Sequence, residues 1–149
     1  MARFKMLVRR RANRLLYLPP VLFNMLAMEV AVRCLPLDTL SRLMGVPLDS
    51  TTTQAPVPAD KPQLTRWQAG QLRTLVPVAA HWPLADGPCL RQALVAGHIL
   101  RHHHPVLRLG VAPGTTEVQA HAWVEVGGVL VGDSRGFIPL INDRDRGPR

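Results

Sequence analysis

The sequence predicts an α+β fold in which helices come first and an antiparallel sheet follows. Between Pro20 and the histidine run before Pro105, apolar residues recur at helical spacing in several segments, on either side of one proline-rich stretch. Past Pro105, the segments VLRLGVA, VQAHAWVEV and VLVGDS alternate apolar and polar residues, as half-buried strands do. Because 47% of the 149 residues are hydrophobic, the chain can bury one core.

Residues 1–48 are predicted to be an N-terminal helical segment with a packing or docking role. One helix begins near Pro20, and a short second helix has Asp38 as its N-cap and Gly45 at its end. Residues 49–62 contain a threonine run and several prolines, which indicates a linker.

Residues 63–149 are predicted to form the main folded core. A helix over TRWQAGQLRTLVPVAA is expected to end or bend at Pro77. A further helix opens at Cys89 and buries one face of CLRQALVAGHIL. In VEVGGVL, the two glycines predict a tight hairpin between two of the strands.

The charge of the chain favours acidic partners. A net charge of +8 and a pI of about 11.2 suit nucleic acid, an anionic membrane surface or an acidic peptide. Nucleic acid is the least favoured of these, because the arginines are scattered and only 5% of residues are aromatic. No nucleic-acid partner is therefore expected.

The N-terminus has a basic start and then an apolar stretch over residues 15–32, like a signal peptide, but it lacks a small-x-small cleavage site. Two prolines, Asn24 and Glu29 interrupt the stretch, which makes it a poor membrane-spanning helix. It could still lie along a membrane surface or a partner protein. We expect a cytoplasmic protein, with a peripheral position on the inner face of the membrane as the second option.

The two cysteines do not suggest a disulfide framework, which indicates a reducing compartment. Cys34 lies in an apolar stretch and is predicted to be part of the core. Cys89 lies at the start of a helix, where unpaired N–H groups and the helix dipole stabilise a thiolate, the nucleophilic form of the side chain. A buried structural role is the alternative for Cys89, since free cysteine packs well in cores.

A thiolate nucleophile needs a base, and His121 is the candidate. His121 alternates in phase with Trp123 and Glu125, so the three side chains share one face of a strand, and a helix packed there could bring the thiol within reach. The hairpin brings the next strand alongside, and Asp133 at its end would orient the imidazole. Trp123 and Glu125 are candidates for substrate binding. Asp133 could equally cap a turn.

The segments CLRQALVAGHILRHHH, HAWVEVGG and VGDSRGF resemble the transglutaminase-like cysteine peptidases of lasso peptide biosynthesis. The intervals also match that family, with 32 residues from Cys89 to His121 and 12 from His121 to Asp133. The resemblance covers residues 88–140 and is weaker over the N-terminal helices, which share only an apolar, arginine-rich character.

The resemblance implies a papain/transglutaminase-like core that removes the leader from a ribosomally synthesised lasso precursor. In that family's pattern, Cys89 would be the nucleophile, His121 the general base and acid, and Asp133 the orienting group, with no metal and no cofactor. The implied partners are the precursor peptide and a separate leader-binding protein, since the chain has no strand-rich N-terminal module. The macrolactam cyclase and the exporter are further candidate partners.

Other functions remain open at this stage. The same scaffold supports acyl or amide transfer, and a non-catalytic basic binding module is a second alternative. His98 and His102 are spaced to share a metal ion, but no nearby cysteine or carboxylate completes a ligand set. We therefore expect the histidine run to be a solvated helix end.

Overall fold

The computed structural model describes residues 2–48, 63–84, 89–113, 118–127, 129–131 and 138–139. Their helices are α1 (Ala2–Cys34), α2 (Leu37–Leu43), α3 (Arg66–Ala80) and α4 (Cys89–Ile99), followed by a 3-10 turn (Arg101–His103). The strands are β1 (Pro105–Pro113), β2 (Val118–Val126), β3 (Val129–Val131) and β4 (Ile138–Pro139). The predicted α+β class, with helices first and the sheet last, is confirmed.

The described strands form one antiparallel sheet in the order β3-β2-β1-β4. The long β1–β2 pair sets Leu107 opposite Val124 and Gly110 opposite His121. The predicted hairpin joins β2 to β3, with Val126 opposite Val129. Gly127 has a φ of +55° in this turn, a conformation that glycine adopts without strain.

Helix α1 is longer than the sequence predicted, because it begins at Ala2 rather than near Pro20. Both Pro19 and Pro20 lie inside it, where each lacks the backbone N–H that a helical hydrogen bond needs. The buried residues Val21 and Met25 follow directly and pack on α3 and α4. Tertiary packing of this kind supplies most of the stability of a protein helix, and here it offsets the missing donors.

Two local expectations for this region were wrong. Asp38 does not cap α2, which begins one residue earlier at Leu37; its carboxylate lies in the first turn and pairs with Arg42 at 3.2 Å. Cys34 is exposed rather than part of the core, because it falls outside the row of inward-facing α1 residues. Gly45 ends the short helix as predicted, with a φ of +72°.

Helix α3 begins at a capping box. The Thr65 hydroxyl accepts a hydrogen bond from the backbone N–H of Gln68, and the Gln68 side chain accepts one from the backbone N–H of Thr65. Pro77 does not end the helix, which continues to Ala80. The buried residues Leu75 and Ala79 flank the proline and attach this last turn to the core.

One buried cluster holds the helices and the sheet together. It draws on all four helices, on Val46 and on the inner face of β1 and β2, and includes Val21, Met25, Met28, Leu40, Leu75, Ala79, Leu94, Val95, Leu100, Leu107, Val124 and Val126. Leu48 also forms a β-bridge with Leu107 of β1. The N-terminal helical segment is thus packed into the same body as the sheet. The predicted linker, residues 49–62, lies outside the described residues.

Gly97 is required by a close approach inside this core. A Cβ atom at Gly97 would lie 2.5 Å from both methyl carbons of the fully buried Val46. We expect Gly97→Ala to lower the free energy of unfolding by about 1–2 kcal/mol, because overpacking outweighs the gain in helix propensity. Urea denaturation measures this change. In a Val46→Ala background, Gly97→Ala should be neutral or stabilising, and an equal loss in both backgrounds would contradict the clash.

Candidate active site

Cys89 is the first residue of α4, as the sequence predicted. Its side chain is half-buried and borders a cavity, so the sulfur is not sealed within the core. The following turns of α4 bury Ala93, Leu94 and Ala96, and the helix packs against β2, α1 and α3. The helix therefore holds its first residue in a defined place, at the end where unpaired N–H groups favour an anion.

One cavity of about 170 Å³ brings the predicted nucleophile and base together. Cys89 lines it from α4 and His121 lines it from β2, although 32 residues separate them in the sequence. Apart from Gln92, the other wall residues are apolar, and they are Leu72, Leu75, Val76, Ala93, Ala96, Ala122 and Trp123. The cavity thus joins a thiol and an imidazole within a largely apolar wall.

His121 belongs to a row of interacting side chains along β2. Its ring stacks on Trp123 with the centroids 6.1 Å apart and the planes at 20°. The Trp123 indole N–H donates to Glu125 at 3.1 Å, and Arg108 of β1 donates to the same carboxylate at 3.1 Å. These contacts restrict the indole on which the imidazole stacks.

The two predicted substrate-binding residues are placed differently by the structure. Trp123 is buried and lines the cavity beside His121. Glu125 is half-buried, and its carboxylate is held by Arg108 and by the indole of Trp123. Glu125 therefore acts in this structure as an ion-pair partner within the sheet.

Helix α4 packs on the face of β2 opposite to the one that carries His121. Ala122, Val124 and Val126 belong to the buried cluster with the α4 residues, and His121 alternates with them. A helix packed on the His121 face was the arrangement expected to bring the thiol within reach of the imidazole. The apolar side of α4 instead covers the Ala122 side of the strand, and the cavity wall still includes both His121 and Cys89.

Asp133 lies outside the described residues. The strand arrangement on which its prediction depends is confirmed, because β3 pairs with β2 and sets Val131 opposite Val124. Asp133 follows the last residue of β3 by two positions in the sequence.

A buried carboxylate ties α4 to α1. Glu29 is only 2% exposed, and both of its oxygens accept hydrogen bonds from Arg91, the third residue of α4, with Nη2 to Oε1 at 3.2 Å. The Trp82 indole N–H donates to Oε2 at 3.1 Å, and Arg33 lies 2.7 Å from Oε1. Through Arg91, these contacts hold α4 on α1 at a point two residues after Cys89.

The pKa of Glu29 is lowered from its ordinary value. Burial by itself raises it, but hydrogen bonds from Arg91 and Trp82, together with the charges of Arg91 and Arg33, outweigh burial. The carboxylate is therefore ionised at neutral pH.

The sequence did not indicate a role for Arg91 or Gln92, and Glu29 was predicted only to interrupt an apolar stretch. A single carboxylate within eighteen largely apolar residues was the usable signal, because such a group needs a cationic partner once it is buried. Gln92 lines the cavity three residues after Cys89, on the same side of α4. No comparable pattern distinguishes it in the sequence.

The histidine run lies at the far end of α4. His98 contacts the Met44 carbonyl at 3.4 Å, while His102 and His104 are exposed. In the part of the chain that the structure describes, no group of three or more histidine, cysteine, aspartate or glutamate residues is placed to hold a metal ion.

The comparisons with known proteins agree with this architecture. The family model described as "Transglutaminase-like superfamily" matches residues 31–141, about three quarters of the chain. No curated protein and no solved structure matches significantly. The match includes the end of α1, α2 and every element from α3 to β4, and with them Cys89 and His121. The chain therefore belongs to the transglutaminase-like superfamily.

Proposed function

We propose that this protein is a cysteine peptidase that removes the leader from a ribosomally made lasso precursor peptide. The observation that carries the proposal is the cavity that Cys89 and His121 line together, with Cys89 at the first position of α4. Membership of the transglutaminase-like superfamily supports cysteine peptidase or transferase chemistry. The motifs around Cys89, His121 and Asp133, with their spacing, favour the lasso leader peptidases within that range.

The chemistry follows from the two side chains. The Cys89 thiolate attacks the carbonyl carbon at the junction of leader and core, and the tetrahedral oxyanion accepts a hydrogen bond from the Cys89 backbone N–H. The C–N bond then breaks, and protonated His121 gives its proton to the departing amine of the core peptide. Water, deprotonated by His121, hydrolyses the thioester and releases the leader as a carboxylic acid. Asp133 orients the imidazole.

The size of the cavity limits what can enter it. A cavity of about 150 Å³ holds one benzene molecule, so about 170 Å³ admits one side chain and excludes a folded peptide. The substrate would lie across the opening and insert a single residue beside Trp123. The carboxamide of Gln92 would offer a hydrogen bond to the substrate backbone at the same place.

The product distinguishes peptidase from transferase. The protein, the precursor peptide and the leader-binding partner are incubated with and without an added primary amine, and the products are identified by mass spectrometry. A peptidase releases a free core peptide and a leader that ends in a carboxylic acid. If the main product is instead a leader that carries the added amine, the reaction is acyl transfer. That result would contradict the proposal.

The two supporting residues should differ in importance. His121→Ala should slow leader removal more than Asp133→Ala, because a proton carrier is harder to replace than a group that orients it. Single-turnover rates of both variants measure the difference. Equal losses, or a larger loss for Asp133→Ala, would contradict these roles.

A further inference from the structure

The outward side of α1 is apolar along its second half. Between residues 15 and 32 the only charged residue is Glu29, and it points inward. Large apolar side chains that are 51–72% exposed cover the other side, namely Leu15, Leu16, Phe23, Leu26 and Val30. A helix that faces water carries the reverse arrangement. This side of α1, called here the α1 outer face, is suited to an apolar environment.

The first half of the same helix is strongly basic. Residues 2–14 contain no acidic residue, and their six cationic residues are Arg3, Lys5, Arg9, Arg10, Arg11 and Arg14. Because α1 is one continuous helix, this basic half leads directly into the α1 outer face. Cationic residues beside exposed leucine and phenylalanine match the two layers of an anionic membrane surface, its headgroups and the acyl boundary beneath them.

A groove extends the apolar surface beyond α1. It has a volume of about 900 Å³ and runs between α1 and the end of α3, with walls that include Leu18, Leu22, Leu26, Val78 and Leu84. Apolar surface that is continuous over two elements exceeds the isolated exposed residues that soluble proteins commonly tolerate.

We propose that α1 docks this protein on the surface of an anionic phospholipid bilayer. The α1 outer face enters the boundary between headgroups and acyl chains, and the basic half lies among the headgroups. Residues 15–34 are long and apolar enough to cross a membrane, with a mean hydropathy of 1.7. The inner side of α1 is nevertheless held on α3 and α4, and crossing would separate Glu29 from Arg91. The helix therefore lies on the bilayer.

Vesicle co-sedimentation of the full chain tests this docking, and it does not depend on the proposed peptidase activity. The protein should bind vesicles of phosphatidylcholine mixed with phosphatidylglycerol at least about tenfold more tightly than phosphatidylcholine alone, and molar salt should release it. No binding to the anionic vesicles would overturn the proposal in favour of a protein partner on the same face. Retention through molar salt and alkaline carbonate would overturn it in favour of a spanning helix.

Substitutions in the α1 outer face give the sharper test. Phe23→Ser and Leu26→Ser should each weaken vesicle binding about tenfold or more, because each removes one inserted side chain. Leu43→Ser is the matched control, since Leu43 is 73% exposed on α2 and outside the α1 outer face. An equal loss in the control, or no loss in either α1 variant, would overturn the assignment to α1.

The basic half is tested separately. Simultaneous replacement of Arg9, Arg10 and Arg11 by glutamine should weaken binding to the anionic vesicles about a hundredfold. The reason is that each cation near the surface contributes roughly 1 kcal/mol to the binding free energy. Binding to phosphatidylcholine vesicles should not change. Circular dichroism serves as the readout of folding in all variants, and unchanged binding by the triple variant would refute the electrostatic part of the proposal.

Discussion

Cys89→Ala should abolish leader removal while the fold is retained. The thiolate is the only atom group proposed to attack the scissile carbonyl, and removal of a nucleophile in a comparable enzyme lowers kcat by about a millionfold. Alanine is a better helix former than cysteine at the start of α4, and it leaves the half-buried position without a new polar group. The measurement is a time course of precursor cleavage by mass spectrometry, with the leader-binding partner present.

Cys34→Ala is the matched control for this experiment. Cys34 is the other cysteine of the chain and is exposed at the end of α1, away from the cavity wall. The Cys34→Ala variant should retain the full rate of leader removal. Circular dichroism and the denaturation midpoint should be unchanged in both variants. Cleavage by Cys89→Ala at a measurable fraction of the wild-type rate would contradict the nucleophile assignment, even if Cys34→Ala behaved as expected.

Glu29→Leu should lower the free energy of unfolding by about 3–5 kcal/mol, because it leaves the mostly buried guanidinium of Arg91 without its carboxylate. That loss is large against a total stability of about 5–15 kcal/mol for a domain of this kind. Arg91→Leu should cost a similar amount, since the buried Glu29 would then keep only the exposed Arg33 as a charged partner, beside the hydrogen bond from the Trp82 indole. Urea denaturation measures both.

The double variant Glu29→Leu/Arg91→Leu separates an ion pair from simple loss of packing. Apolar replacement of a whole buried pair is often neutral, so the double variant should be more stable than either single variant. Arg42→Ala serves as the control, because it breaks an exposed ion pair with Asp38 and should cost less than about 1 kcal/mol. Additive losses in the double variant would contradict the coupling.

The same carboxylate gives the fold an acid sensitivity. The pKa of Glu29 is lowered in the folded protein, so its contribution to stability is complete above the unfolded value of about 4.3. The contribution is lost as the pH falls below that value and through the folded pKa. The stability advantage of the wild type over Glu29→Leu should therefore shrink below about pH 4.3 in urea titrations. An advantage that stays constant down to pH 3 would contradict this.

Local sequence patterns were sufficient for the elements of the second half. The change of apolar period at Pro105 marks the start of β1, and the glycine pair after Val126 marks the hairpin. The start of α4 at Cys89 also follows from its neighbours in the chain. In each case the residues that determine the element lie within a few positions of it, so the element can be predicted from adjacent residues.

The placement of side chains between distant elements was not predictable in this way. Pro19 and Pro20 indicate a break when read locally, yet packing on α3 and α4 keeps α1 continuous. The isolated Glu29 indicates a poor membrane helix when it is read locally. In the fold, Arg91, 62 residues later, donates hydrogen bonds to Glu29 and so joins α1 to the helix that carries Cys89. Such outcomes depend on which surfaces meet in the folded core.

The sequence by itself determined the class of the fold, the order of its elements and the residue types able to perform cysteine chemistry, because periodicity and side-chain reactivity are local properties. Only the tertiary structure decided that Cys89 and His121 share a cavity and that α4 covers the Ala122 face of β2. It also decided that α1 turns its single carboxylate, Glu29, inward and Leu15, Leu16 and Leu26 outward. These features arise from contacts between residues far apart in the chain, where burial of apolar surface and pairing of buried charge select one arrangement.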